Sequence, residues 1–464
     1  MNNWEPKSNS LFGPTEGVAI VHRDKNGRVR PNWLCACEQE RHLTVGLMDK
    51  VADPSNLQKA YRRVKANAGK GGVDGMEVKE LGKWIRDNFQ DLQDQLLKDR
   101  YQPEPVRGVR IPKPQGGYRQ LGIPTVKDRL VQQAVHQVLT ARYERIFSEH
   151  SYGFRPQRSA HQALAQCGRH VSSGNKYVVD LDLEKFFDEV NHHRLMWLLS
   201  RRIGDGRVLR LIHRFLKAGL LQDGLMSQRT QGTPQGGPLS PLLSNIILDE
   251  LDKELERRGH SYVRYADDVK IFVKSEVSAQ RVKTRISKFI EDVLLLKVNS
   301  AKSRICQGYE LNFLGHSILP YGQVGLSEQS EQRIKQKVKQ ITKRRRGVSL
   351  THILLELRSY LPGWLMYFKY ALMSRKLTRL DGWIRRKLRC YRLKQCKRVI
   401  GMVRLLRNLG VEESLCWRTA LTGKGWWRIS NSPGVSIGMS NQWLELQGYY
   451  SLLDHYKALH RKLL

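Results

Sequence analysis

Residues Tyr177-Val178-Val179-Asp180-Leu181-Asp182-Leu183 alternate as a β-strand does, with Asp180 and Asp182 on one face and Val179, Leu181 and Leu183 on the other. Two carboxylates on one strand face repel each other, and desolvation adds to the cost, so a fold containing this strand must set a cation beside them. A metal ion meets that demand. A second acidic site lies within Ser261–Lys274, where Val263 and Tyr265 precede Ala266-Asp267-Asp268, and Val269, Ile271 and Val273 follow. The pattern predicts a β-hairpin with its turn at the acids. Neighbouring side chains of a regular strand diverge, whereas at a turn both can approach one ion. An Asp-Asp pair alone is ordinary turn chemistry; together with Asp182 it reads as an ion site.

Three carboxylates from two strands can hold a pair of Mg²⁺ ions roughly 3.5–4 Å apart, one activating an attacking 3′ oxygen and the other neutralising a leaving pyrophosphate. Oxygen donors suit that hard cation. Charge points to the polymer on which this chemistry acts: 80 Lys and Arg against 44 Asp and Glu leave +36, and no acidic block offsets the excess. A polyanion is the expected partner. Between Glu331 and Gly410 stand 23 Lys or Arg and 3 acidic residues, so about a sixth of the chain holds over half of the net charge. Apolar residues recur there at helical spacing, as in Leu354, Leu355, Leu357, Leu361, Trp364, Leu365 and Phe368, which predicts a packed helical domain facing phosphate.

The 464 residues suffice for roughly three domains, and a 40% apolar, 27% charged composition is that of a folded chain. The stretch from Asn56 to Glu328 mixes amphipathic helical patterns with short strand-like runs, giving an α+β reading. Met1–Leu11 lacks an apolar signal core and no run approaches ~18 apolar residues, so no membrane partner is expected. Seven cysteines, scattered and without a CxxC pair, fit a reducing compartment, and the expected localisation is cytoplasmic. Cys35 and Cys37 read as ordinary thiols. The first 45 residues carry turn formers but no motif with a derivable role.

The segments around these acids resemble a known family. Asp182-Leu183-Glu184-Lys185-Phe186-Phe187-Asp188 and Tyr265-Ala266-Asp267-Asp268 are similar to two reverse-transcriptase motifs. Arg110-Ile111-Pro112-Lys113-Pro114, Tyr118–Pro124, Tyr152-Gly153-Phe154-Arg155-Pro156, Gly232–Pro241 and Phe313-Leu314-Gly315 follow in the order found in group II intron reverse transcriptases. Pro362-Gly363-Trp364, Tyr367-Phe368 and Asp381-Gly382-Trp383-Ile384-Arg385-Arg386 resemble maturase motifs; Gly425–Ser430 and the stretch from Gly448 to Leu453 resemble the family's usual ending.

The resemblance implies a right-hand polymerase. Fingers and palm would span 46–328, a helical thumb or maturase domain 329–412, and a DNA-binding segment 413–464, after an extension over 1–45 of unknown role. It implies Asp182, Asp267 and Asp268 as catalytic carboxylates for two Mg²⁺, with Phe187 under the incoming sugar. Lys113 and Arg119 would hold the triphosphate, Gln235 would line the nucleotide and Lys302 would stand near the pyrophosphate. Arg344, Arg345, Arg346, Arg385 and Arg386 are the expected nucleic-acid contacts on the basic thumb. Partners implied are an RNA template, the chain's own intron RNA, a DNA target or primer, and dNTPs; a homodimer is compatible with it. The family's endonuclease ligands are not found in the sequence, so DNA cleavage is not expected. Two other readings share these motifs: a splicing cofactor with a dead polymerase, which would be expected to have lost a carboxylate, and a free-standing relative serving DNA repair or phage defence.

Overall fold

The computed structural model describes residues 46–112, 116–222 and 224–461; the N-terminal extension with Cys35 and Cys37, and Lys113, lie outside the described residues. Its strands, in chain order, are β1 (Val106–Pro112), β2 (Tyr118–Ile123), β3 (Tyr177–Leu181), β4 (Leu220–Gln222), β5 (Leu225–Ser227), β6 (Ser261–Tyr265), β7 (Asp268–Val273), β8 (Arg304–Gln307), β9 (Asn312–Phe313), β10 (His316–Ile318) and β11 (Val324–Leu326). They form sheets ordered β2-β1-β4-β5, β6-β7-β3-β8 and β11-β10-β9. Two compact units result: one holds residues up to Ile146 with Lys185–Asp249 and Leu294–Leu296, the other Phe147–Glu184, Glu250–Val293 and Lys297–Leu464. The stretch expected as fingers and palm is thus divided, because β3 pairs with strands far along the chain.

In the first unit, β1 and β2 form an antiparallel hairpin running from Arg107 opposite Ile123 to Pro112 opposite Tyr118, and β4 joins β1 in parallel. The helix Val126–Tyr143 follows, capped by the Thr125 hydroxyl, which accepts the Asp128 N–H. Val126, Leu130, Val131, Ala134, Val135 and Leu139 are buried along it. Asp128 is buried too, accepting from Tyr101 Oη at 2.9 Å, Thr125 Oγ1 at 2.7 Å and the Glu104 N–H at 3.2 Å. Burial pushes its carboxyl up to about 6.

In the second unit, β3 lies between β7 and β8, antiparallel to both, with Asp180 opposite Lys270 on one side and Arg304 on the other. The acid-bearing face is apolar at its far end. There Val178 packs with Phe272, Val263 and Cys306 under Ala163, Leu164 and Cys167 of the helix Ala160–Ser172. Val179, Leu181, Val269 and Ile271 are buried on the other face, and the helix Glu276–Asp292 packs against β3 and β7 with Ala279, Val282, Ile286 and Ile290 buried.

Three helices follow, Glu328–Ile341, Leu350–Phe368 and Ser374–Gln395. Leu354, Leu357, Leu361, Trp364, Leu365 and Phe368 form one core with Ile334, Val338, Leu380 and Ile384. Leu355 was expected on that stripe but is 60% exposed, because one residue along a helix turns the side chain about 100° off the buried face. The same core takes in Leu444, Tyr449, Leu452 and Tyr456, so the end of the chain packs against these three helices, while Cys416, Ala420, Ile429, Val435 and Met439 join Leu393, Met402, Val403 and Leu406 in a second core. Among the described residues no helix is long and apolar enough to cross a membrane.

Asp381, buried in the Ser374–Gln395 helix, makes this junction: it accepts from Tyr449 Oη at 2.6 Å, Ser451 Oγ at 3.3 Å, and the N–H groups of Leu452 at 3.1 Å and Leu453 at 2.8 Å. A carboxylate receives the first turn of the Leu452–Arg461 helix, where orphan N–H groups and the helix dipole favour negative charge. Asp381→Ala should destabilise the second unit by about 3 kcal/mol or more, since several buried donors lose their acceptor. Asp381→Asn should cost less. Urea unfolding followed by tryptophan fluorescence measures both; equal stability of Asp381→Ala and wild type would remove Asp381 from this role.

Candidate active site

The β6–β7 hairpin closes with Tyr265 opposite Asp268, leaving Ala266 and Asp267 as its two-residue turn. Ala266 stands at φ +58°, a left-handed conformation that a side-chain-bearing residue keeps only when its surroundings enforce it. Two features do so. Arg264 Nη1 donates to the Ala266 carbonyl at 3.0 Å, while its Nε and Nη2 hold the Asp252 carboxylate at 2.8 and 2.5 Å; neither side chain is exposed at all. Against the turn's other side lies Gly153, where a Cβ would come within 2.2 Å of the Ala266 nitrogen. The Tyr152 N–H donates to the Arg264 carbonyl and the Arg264 N–H to the His150 carbonyl, each at 2.9 Å. Arg155 is buried beneath, donating to Ser151 O at 2.8 Å and to Ser148 O. The Tyr152–Pro156 motif is therefore a brace for the acidic turn.

Asp182 lies just beyond β3, held through its backbone: its N–H donates to Ser303 Oγ at 3.0 Å, and its carbonyl accepts the Asn299 N–H at 2.9 Å. Since Leu181 faces Val269, Asp182 leaves β3 at the end of the sheet where Asp268 begins β7. Carboxylates gathered at one end of a sheet repel each other unless a cation intervenes. The cations present are the protein's own. Lys302 Nζ stands 3.7 Å from Asp182, and Lys270, 4% exposed, bonds both Asp180 and Asp268 while Arg304 lies 3.7 Å from Asp180. Although 40% of the Asp268 side chain is exposed, the protein around its carboxyl strips enough water to push it above its ordinary value; Asp180 and Asp267 push the same way, and Lys270 opposes them. Burial pulls on the Lys270 ammonium, but the two carboxylates outweigh it and hold it charged.

Among the described residues no three His, Cys, Asp or Glu side chains form a ready-made chelate. The donor chemistry nevertheless fits a hard divalent cation. Asp182 and Asp268 are 44% and 40% exposed, offer only oxygen, and are engaged by lysines, one of which is itself exposed.

The first unit gathers a second group. Phe186 is buried in its core while Phe187 is half-buried beside it, the rings edge-to-face at 5.3 Å. The Phe187 carbonyl accepts the Thr233 N–H at 2.6 Å, and the Gly122 N–H donates to the Gln235 carbonyl at 2.9 Å. This anchors the Gly232–Pro241 loop on the Phe187 segment and on β2, which carries exposed Arg119 opposite Ile111. Gly236, at φ +132°, leaves no space for a Cβ, which would sit 2.6 Å from the Gly122 oxygen.

The five arginines expected to contact nucleic acid differ in what they touch. Arg345 is exposed, and Arg344 reaches only the Cys390 sulfur at 3.9 Å. Arg346 forks onto Glu356 at 2.9 and 2.5 Å. Arg385 bonds Ser451 at 3.5 Å and stands 3.7 Å from Glu445. Arg386 stacks on Trp427 at 4.0 Å and donates to its carbonyl at 2.9 Å. Sequence reasoning passed over Arg264, Asp252, Lys270 and Ser303; a lone Arg or Lys inside an otherwise apolar strand was the available signal.

A two-stranded acid site on an antiparallel sheet, followed by a basic helical domain, defines a template-directed nucleic-acid polymerase. Comparison with known proteins gives the class directly: residues 111–318 match the reverse transcriptase (RNA-dependent DNA polymerase) family, and residues 331–408 match the group II intron maturase-specific domain. The chain is 33% identical to Protein YkfC of Escherichia coli (strain K12) over 67% of this chain and 92% of that protein. It is also 33% identical to the group II intron-encoded protein LtrA of Lactococcus lactis subsp. cremoris, over 56% of this chain and 54% of LtrA, so it spans about half of that relative's length. A putative COX1/OXI3 intron 2 protein of Saccharomyces cerevisiae is 32% identical over 47% of this chain and 25% of its own. The chain belongs to the group II intron reverse transcriptase and maturase family.

Gly153→Ala should lower the primer-extension rate about 10- to 100-fold by displacing the Ala266-Asp267 turn, the scale expected when reacting groups move by about an ångström. RNA affinity, measured by filter binding on the same preparation, should stay at the wild-type value. An extension rate equal to wild type would show that the turn does not depend on this close approach.

Proposed function

We propose that this reverse transcriptase copies RNA into DNA at Asp182, Asp267 and Asp268, and that its basic thumb binds the RNA of its own intron and assists its splicing and mobility in the cytoplasm. The observation that supports the catalytic part is the antiparallel register of β3 and β7, which ends with Leu181 opposite Val269, so that Asp182 follows β3 where Asp268 begins β7, beside the two-residue turn that carries Asp267. These carboxylates would hold two Mg²⁺ ions, which when bound activate the primer 3′ oxygen and neutralise the leaving pyrophosphate. The chain's own groups do the rest. Lys302, exposed and on a flexible stem, is free to exchange Asp182 for pyrophosphate oxygens. Arg119, with Lys113, serves the triphosphate, and Gln235, on a loop with close backbone contacts, lines the nucleotide. Phe187 presents an apolar edge where a ribose 2′-hydroxyl would need a partner it cannot find.

The exposed guanidiniums of Arg344 and Arg345 are suited to phosphate, and the residues after 412, with Arg386 stacked on Trp427, to target or primer DNA. Arg346 and Arg385, engaged with Glu356 and Glu445, contribute through the shape of the thumb.

Asp267→Ala and Asp268→Ala should each abolish Mg²⁺-dependent cDNA synthesis while RNA binding persists, since acids and thumb act on different partners. Full extension by either variant would take that residue out of the site. Phe187→Ala should admit ribonucleotides, whereas Phe186→Ala, on the buried ring, should chiefly destabilise the fold by about 3–5 kcal/mol. Incorporation of dNTP and rNTP on one RNA template distinguishes the two; unchanged sugar choice in a folded Phe187→Ala enzyme would refute its role.

A further inference from the structure

Lys270 lies inside the acid face, 4% exposed, with its ammonium bonded to Asp180 and Asp268 and its Nζ 5.4 Å from the centre of the Phe313 ring. A buried ammonium must keep a carboxylate, and this one has two of unlike character. Asp180 lies on a central strand, 15% exposed, with Arg304 as a second cation at 3.7 Å. Asp268 is at the mouth of the hairpin, 40% exposed, where an ion from solution can reach it.

We propose that Lys270 is a built-in competitor for divalent cation at Asp268, and that Asp180 is the carboxylate that keeps the lysine paired when Asp268 turns to the ion. Both are positioning residues that set the affinity of the site. The proposal rests on the reading of Asp268 as an ion-holding carboxylate. The physical basis is exchange within one charge cluster: an ion takes Asp268 at low cost only if the ammonium it displaces has a partner left behind, because an unpaired buried charge is strongly destabilising. Without Asp180, lysine and ion would contend for one carboxylate. Without Lys270, Asp180 would keep only Arg304 and Asp268 would lose its ammonium, so the ion would meet no competitor there and would relieve the repulsion between the two carboxylates.

The two substitutions therefore act in opposite directions, which a general loss of packing would not do. Mn²⁺ binding to the full chain, without nucleic acid or nucleotide, is measured by electron paramagnetic resonance for wild type, Asp180→Asn, Lys270→Met and Asp268→Asn. Asp180→Asn should weaken binding roughly tenfold, within the range of couplings between linked sites. Lys270→Met should tighten it, and Mn²⁺ should raise the melting temperature of this variant more than that of wild type. Should Lys270→Met not fold, Asp180→Asn decides alone, with the Mg²⁺ requirement for primer extension rising in parallel. Affinities unchanged in Asp180→Asn and Lys270→Met, or shifted in one direction, while Asp268→Asn loses both site and activity, would overturn the exchange and leave the catalytic reading standing. Wild-type Mn²⁺ binding and extension by Asp268→Asn would overturn the reading itself, and the exchange with it.

Discussion

A guanidinium with no exposed surface, Arg264, fastened to an equally buried Asp252, is the interaction on which the acid site depends. Such a pair contributes little net stability beyond what well-packed apolar residues would, but breaking it by removing one partner strands a charge in the interior. That asymmetry makes the pair a fixed point. The Ser240–Arg257 helix supplies Asp252, β6 supplies Arg264, and the third arm of the guanidinium holds the carbonyl of Ala266 at the turn. The left-handed Ala266 is held in part by this hydrogen bond from a guanidinium that is itself fixed to Asp252.

Close backbone approach completes that restraint. Gly153 meets the turn at a distance no Cβ could share, and Gly236 does the same for the Gly232–Pro241 loop against β2. In both places the smallest residue substitutes contact for side chain, so the motif serves position and not chemistry. Asp381 plays the corresponding role in the thumb, where one carboxylate and a shared core hold the last helix.

The alternation of Asp180 and Asp182 against Val179 and Leu181 was legible because a period of two needs only the local chain, and the hairpin at Ala266-Asp267 because turn residues interrupt two apolar runs. Phe186 and Phe187 separate into a buried and a half-buried ring. What local pattern does not carry is partner choice. Lys270 and Arg264 look like solvent-facing residues of strands until the register brings Asp180 and the helix brings Asp252. Arg346 and Arg385 share a basic run with exposed Arg345, yet Glu356 and Glu445 claim them. Leu355 passes for core in a leucine-rich stretch, since adjacent apolar residues leave the buried edge of a helix undefined to within one position. The division into two units was hidden for a related reason: strand pairing joins β3 to β7 and β8 across long intervals of sequence.

The distribution of charge follows from the same register. In a chain carrying +36, one sheet end gathers several aspartates. Four aspartates there, Asp180, Asp182, Asp267 and Asp268, would repel a phosphate backbone if left bare. Lys270, Lys302 and Arg304 stand among them and bring the cluster close to neutral with no ion present. Two of the three are exposed and one is not. The exposed pair are cations on flexible stems open to solvent, whereas the buried lysine is confined between Asp180 and Asp268. Attraction over distance thus belongs to the thumb, where the surplus of cations is greatest, and the acid site needs only not to oppose it.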